Sequence, residues 1–240
     1  MRHHGVTVIG IAALVALAAG CSSSGSASTT SSTTPSQTTS ATPTPTPAKP
    51  WTAAALQPAL LTLKDLPAGY KVDTSKDSGG HDKVSSKAPG CAALVKIMNT
   101  EQPPRTQAFA KISVVGGPQG PFVDEELDGM ATPADAQAFV TNLDAAVKTC
   151  STVQMAAAGS APLTAKISTA TAPQLGDTAV AMKATITSGS AAGMEVTTVG
   201  VASGRVIVGM SFVAGTPALA NSTAKAAVQK AQSTLAAAAG

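Results

Sequence analysis

The densest cluster of side chains that could bind a metal ion is the acidic run DEELDG at residues 124–129. Carboxylates at alternate positions before a glycine, with Asp135 in the twelfth position, are typical of a calcium-binding loop. However, a proline interrupts this loop, the residues at its third and twelfth positions are unusual, and the preceding segment has a strand pattern. We therefore predict a solvent-facing strand and a helix cap without a metal, and keep Asp124, Glu126 and Asp128 as weak candidate ligands.

Residues suited to nucleophilic catalysis are few. Ser222 and Lys225 match the Ser-x-x-Lys pattern of penicillin-binding enzymes, but the Ser-Asp-Asn and Lys-Thr-Gly partner motifs are missing from the sequence. His81 is the only histidine after the N-terminal segment, and its polar surroundings favour a solvated ring. A single histidine disfavours Ser-His-Asp and Cys-His sets and zinc sites built on histidine. We predict that the protein is not an enzyme and needs no cofactor.

The N-terminal segment has the layout of a secretory signal. Arg2 precedes an uncharged apolar run at residues 6–19, and small residues stand directly before Cys21. The run is about 14 residues long, shorter than the roughly 20 needed to cross a bilayer, so a transmembrane helix is the weaker interpretation.

The segment LAAGC at residues 17–21 resembles a bacterial lipobox. The resemblance implies that residues 1–20 are removed and that Cys21 carries a diacylglycerol. The mature protein would then be anchored by lipid to the extracytoplasmic face of the cell membrane, because two or more acyl chains give stable anchoring. An ordinary secreted protein is the alternative.

Two cysteines remain once Cys21 is assigned to lipid, and an exported chain folds in an oxidising compartment. We predict a disulfide between Cys91 and Cys150, which would close a loop of about 60 residues. Such a bond contributes roughly 4 kcal/mol in the chain-entropy model. Neither cysteine has a second cysteine at C-x-x-C spacing or a nearby histidine, which disfavours metal ligation and thiol chemistry.

Composition divides the rest of the chain. Residues 22–50 are mostly Ser, Thr and Pro with one charged residue, so they predict a disordered spacer, either O-glycosylated or bare. Residues 51–240 are predicted to form one globular domain.

The whole chain has 16 basic and 13 acidic residues, one Trp, one Tyr and four Phe. This balance and the lack of a basic stripe argue against nucleic acid as a partner.

Periodicity predicts the elements of the domain. A helix starting near Gln57 should point Leu60, Leu61 and Leu63 inward. A short strand is predicted at residues 70–72, and the stretch at 71–90 should otherwise form a mobile loop. Further helices are predicted over residues 91–98, 132–150 and from 216 to about 235, and strands over 107–115, 122–130, 153–157, 163–169, 178–187, 194–201 and 206–213. This order predicts an α+β domain, with helices packed on a largely antiparallel sheet.

Three runs carry a wider resemblance: LTLKDLPAGY at residues 61–70, the segment at 123–150, and QLGDTAVAMKATIT at 174–187. In their order and spacing they resemble a domain of actinobacterial cell-envelope lipoproteins, which is similar to the extracellular sensor domain of a mycobacterial serine/threonine kinase. The resemblance implies ligand sensing or envelope scaffolding without catalysis, and it supplies no functional residues. That kinase domain is thought to use two disulfides, whereas this chain can form one inside the domain.

Two functions follow as hypotheses. The first is a lipid-anchored, non-catalytic module that binds a small molecule, a lipid or an envelope protein. The second is a carrier that shelters an acyl chain or glycolipid between sheet and helices, because the inner faces are rich in small Ala and Val residues. A hollow of more than a few hundred Å3 between sheet and helices would favour the carrier, and a packed core would favour the module.

Overall fold

A computed structural model describes residues 49–74, 83–156 and 161–238, and the side chains of this part up to residue 236. The predicted signal, Cys21, most of the spacer and His81 lie outside the described residues. None of the described helices combines the length and hydropathy needed to cross a bilayer.

In the described part of the chain, nine antiparallel strands form one sheet in the order β1-β3-β4-β9-β8-β7-β6-β5-β2. The strands are β1 (Lys71–Val72), β2 (Lys83–Ser85), β3 (Thr106–Val115), β4 (Phe122–Met130), β5 (Thr152–Ala156), β6 (Leu163–Thr169), β7 (Thr178–Ile186), β8 (Glu195–Ser203) and β9 (Val206–Val213). The helices are α1 (Ala53–Leu56), α2 (Ala92–Met98), α3 (Pro133–Thr149) and α4 (Pro217–Ala238), with 3-10 turns at Gln57–Ala59 and Leu63–Asp65. The predicted α+β class is therefore confirmed.

Helices cover both faces of the sheet, because successive side chains of a strand point to opposite sides. On β9, Val206 and Val208 belong to one core, and Ile207 between them belongs to the other. The first core packs α1 and α4 on β3, β4, β8 and β9. In the second core α3 packs mainly on β7 and β8, and α2 packs on α3 and β2. Small residues such as Ala224 and Ala227 let α4 approach the sheet closely.

The predicted disulfide is present and joins Cys91, directly before α2, to Cys150, directly after α3. Both cysteines are buried in the second core. Gly90 has a φ of +80°, and a Cβ there would lie 2.6 Å from the backbone oxygen of Thr149. The Thr149 hydroxyl donates a 3.0 Å hydrogen bond to the Gly90 carbonyl, so the ends of the two helices are held by polar contacts as well.

Two predictions about the N-terminal part of the domain are wrong. The helix begins earlier, at Ala53, and ends in a 3-10 turn, so Leu60 and Leu61 are buried whereas Leu63 is 42% exposed. Thr52 caps α1 by accepting a hydrogen bond from the Ala55 N–H. Threonine is a favoured N-cap residue, but the spacing of the leucines had predicted a later helix start. The predicted loop at residues 71–90 contains β2, which pairs with β5.

Candidate ligand-binding site

A cavity of about 590 Å3 lies where residues 49–55, the β8–β9 turn and the last turns of α4 meet. We call it the end cavity. Its apolar walls come from Trp51, Ala55, Val206, Ala231, Leu235 and Ala236. Its polar side chains are Lys49, Thr52, Ser203, Arg205 and Gln232, and none of the described lining residues is acidic. The Gln232 amide donates a 3.0 Å hydrogen bond to the Ser203 hydroxyl and so ties α4 to the turn.

Arg205 is the polar side chain of the end cavity with the most hydrogen bonds among the described residues. Its Nε donates to the Met130 carbonyl at 3.3 Å, and its Nη1 and Nη2 both donate to the Lys49 carbonyl at 3.2 Å. Nη2 also donates to Oε1 of Gln107 at 3.1 Å. The guanidinium carbon lies 5.2 Å from the centroid of the Trp51 ring, within range of a cation–π contact. All four acceptor contacts are to uncharged oxygens, so they fix the guanidinium without neutralising it.

Trp51 is positioned by the sheet. Its backbone N–H donates to Oε1 of Gln107 at 3.1 Å, so the same amide oxygen contacts both Trp51 and Arg205. A Cβ at Gly129 would lie 2.5 Å from Cγ of Trp51, so the indole occupies the space that a side chain on β4 would take. The indole Nε1 is buried and has no hydrogen-bond partner among the described residues.

A second cavity of about 500 Å3 lies between α2 and α3. Lys96 and Ile97 contribute to it from α2, and Phe139, Asn142 and Ala146 contribute from α3. Its only charged lining side chain in the described part of the chain is Lys96, which is exposed. It therefore has one cationic residue in its described lining, whereas the end cavity has two.

The acidic run lies on β4, and the structure does not gather it into a metal site. Asp124 accepts a 2.5 Å hydrogen bond from the Ser113 hydroxyl, and Glu126 lies opposite Lys111 on β3. Among the described residues, no group of three His, Cys, Asp or Glu side chains could hold a metal ion.

The predicted solvent-facing side of β4 is wrong at Asp128, which is only 4% exposed. Asp128 lies opposite Phe109 on β3 and Ile207 on β9, and Ile207 belongs to the second core, so this end of the face is covered whereas Asp124 at the other end is exposed. Burial raises the pKa of its carboxyl to about 7, and the nearby carboxylate of Glu126 acts in the same direction.

Glu125 is a buried carboxyl that the sequence analysis did not single out. It lies between Val123 and Leu127 on the inward face of β4 and is 1% exposed. Its Oε2 accepts a 2.7 Å hydrogen bond from the Leu61 N–H, and its Oε1 has no partner among the described residues. Burial raises the pKa of Glu125 to about 7, although the Leu61 N–H and Lys230 act to lower it.

The Ser-x-x-Lys pair does not form a site. Ser222 and Lys225 are both exposed on α4, and the Ser222 hydroxyl donates to the Leu219 carbonyl at 3.1 Å. Neither residue lines the end cavity.

The sequence matches no family model and no curated protein. Among solved structures, the chain is similar to the extracellular domain of PknH from Mycobacterium tuberculosis, with a TM-score of 0.58 and 15% sequence identity. The match covers 79% of this chain and 99% of that chain. The likeness concerns the fold alone at this identity, and it confirms at that level the predicted resemblance to an extracellular mycobacterial domain.

Proposed function

We propose that this protein is a lipid-anchored, non-catalytic module of the cell envelope that binds a small, largely apolar ligand in the end cavity. The volume of about 590 Å3 carries the proposal, because ligand sites typically enclose roughly 300–1,000 Å3 behind apolar walls with a few fixed polar groups. The end cavity has both features, with Arg205 as the fixed polar group. Its described lining contains no carboxylate, histidine or cysteine that could serve in acid–base or nucleophilic catalysis.

A pair of variants on α1 tests the ligand site. Ala55 lines the end cavity, whereas Ala54 is exposed and does not. Ala55→Phe should fill part of the cavity and lower ligand occupancy at least about tenfold, whereas Ala54→Phe should leave it unchanged. Native mass spectrometry of both variants and the wild type, purified from the native host, measures the occupancy. A bound mass that Ala55→Phe retains in full, or a wild type without any bound mass, would contradict the proposal.

The anchor is tested separately. The lipobox-like segment before Cys21 supports lipidation, and the likeness to an extracellular domain is consistent with an extracytoplasmic location. In cell fractionation, Cys21→Ala should move the protein from the membrane fraction to the soluble or secreted fraction, because the acyl chains supply the attachment. Ser22→Ala, one residue further on, is the matched control and should stay with the membrane. A Cys21→Ala protein that remains in the membrane fraction overturns the anchor.

The carrier is the second candidate, and the apolar walls of the end cavity favour it. The cavity is bounded by α4 and by the end of the sheet, whereas Phe212 and Ala227 in the first core are buried at 0% exposure. The hollow is therefore local and does not extend through the core, which favours the binding module. A carrier would exchange lipid between two populations of vesicles, and a binding module would not.

A further inference from the structure

We propose that the ligand of the end cavity is an amphiphile with an anionic head group, which lies against Arg205 while its apolar chain lies along α4. This inference rests on the proposed function and adds to it the charge and orientation of the ligand. The head group would be a carboxylate or a phosphate, since a guanidinium binds both through paired N–H groups.

The first argument is the state of the Arg205 guanidinium. It is half-buried and fixed by four hydrogen bonds, whose acceptors are two backbone carbonyls and one side-chain amide. A guanidinium has five N–H groups, so these bonds leave one Nη1–H for a further acceptor. An anion placed there meets a cation that is already ordered, in surroundings where apolar walls strengthen the attraction.

The second argument is the distribution of charge around the cavity. Lys49 is a second cationic residue of the lining and is exposed, and the described lining contains no carboxylate. The acidic residue of the neighbouring loop, Asp177, accepts a 2.8 Å hydrogen bond from the Gly204 N–H and is not part of the lining. The polar side of the cavity therefore favours an anion over a cation or an uncharged head group.

The third argument is the position of the apolar walls. Ala231, Leu235 and Ala236 form an apolar strip along the last turns of α4, and Val206 follows Arg205 directly on β9. A single apolar chain can thus extend from the guanidinium along the helix. Burial of its methylene groups would supply most of the affinity.

Trp51 makes the test direct, because it is the only tryptophan of the chain and lies in the cavity wall. The probes are dodecanoate, dodecyl phosphate and 1-dodecanol, titrated below their micellar or solubility limits and followed by tryptophan emission. At least one anion should bind about tenfold more tightly than the alcohol. Raising the salt concentration to about 0.3 M should weaken binding of the anion and not of the alcohol.

Variants assign the effect to the guanidinium. Arg205→Gln should lower the affinity for the anion about tenfold, to that of the alcohol, and leave binding of the alcohol unchanged. Lys225→Gln removes an exposed cation of α4 away from the cavity and should change neither. Alcohol binding as tight as anion binding in the wild type overturns the inference and leaves the proposed function standing. A failure of all three probes to bind contradicts both, and the salt series gives the answer without variants if Arg205→Gln fails to fold.

Discussion

Replacing Cys91 and Cys150 together by alanine should lower the free energy of unfolding by about 4 kcal/mol in the chain-entropy model. The disulfide joins residues 59 positions apart, so its loss frees a long loop in the unfolded chain. For a domain of this size the melting temperature should fall by roughly 8–16 °C. Chemical denaturation and calorimetry of the wild type and the double variant measure the two quantities.

The wild type in reductant and a neighbouring substitution provide the controls. Once its disulfide is reduced, the wild type should melt close to the double variant, because both then lack the same cross-link. Ser151→Ala changes an exposed residue next to Cys150 and should melt with the wild type. A double variant that melts within about 2 °C of the wild type contradicts the prediction.

Lowering the pH from 8 to 5 should stabilise the domain by about 2–3 kcal/mol for each of two buried carboxyls. Glu125 and Asp128 have pKa values raised to about 7 by burial, above their ordinary values of 4.5 and 3.8. The folded state therefore binds more protons than the unfolded state in this range, so stability rises as the pH falls through about 7. Denaturant unfolding at several pH values between 5 and 8 measures the slope.

Single substitutions separate the two groups. Glu125→Gln should remove about half of the pH dependence, because the amide stays uncharged at every pH in the range. Asp124→Asn changes an exposed carboxylate on the same strand and should leave the slope unchanged. Hydrogen bonds from Lys230 and Lys183 lower the pKa values of Asp65 and Glu195, so these carboxyls lose their contribution only at more acidic pH. Stability that is flat across the range, or highest at pH 8, contradicts the prediction.

Long, regular elements could be predicted from the sequence because each has a local cause. The helix α3 begins where Thr132 accepts a hydrogen bond from the Asp135 N–H, a cap that the residue types already indicate. The strands β3, β4, β7 and β9 have alternating apolar residues, and the structure pairs them as neighbours in one antiparallel sheet with β8. The alternation of apolar residues in a strand and the cap of a helix are both properties of short stretches of chain, so both can be recognised in the sequence.

Elements stabilised by distant partners could not be predicted. Lys83–Ser85 has no strand pattern of its own, and it is a strand because it pairs with Gln154–Ala156. The end cavity could not be predicted either, because its walls come from residues near 51, 205 and 235, which are far apart in the sequence. No local pattern links three segments so far apart.

Glu125 is an intermediate case. Strand alternation places it on the same face as Val123 and Leu127, so an inward carboxyl could be read from the sequence. Its partner could not, because the Leu61 N–H lies 64 residues earlier in the chain. The burial of Asp128, on the opposite face, depends on Ile207 of the second core, which lies beside it on β9 and is distant in sequence.

The sheet order has a consequence for when the domain can fold. The strand β9 lies between β4 and β8, so the last of the described strands joins the part that contains β1, β3 and β4 to the other described strands. Until residues 206–213 are available, these two parts share no strand pairing in the described sheet. Pairing over such separations is a slow step, so assembly of the sheet is delayed until nearly the whole chain is present. The sheet can therefore close across its centre only after β9 has been synthesised.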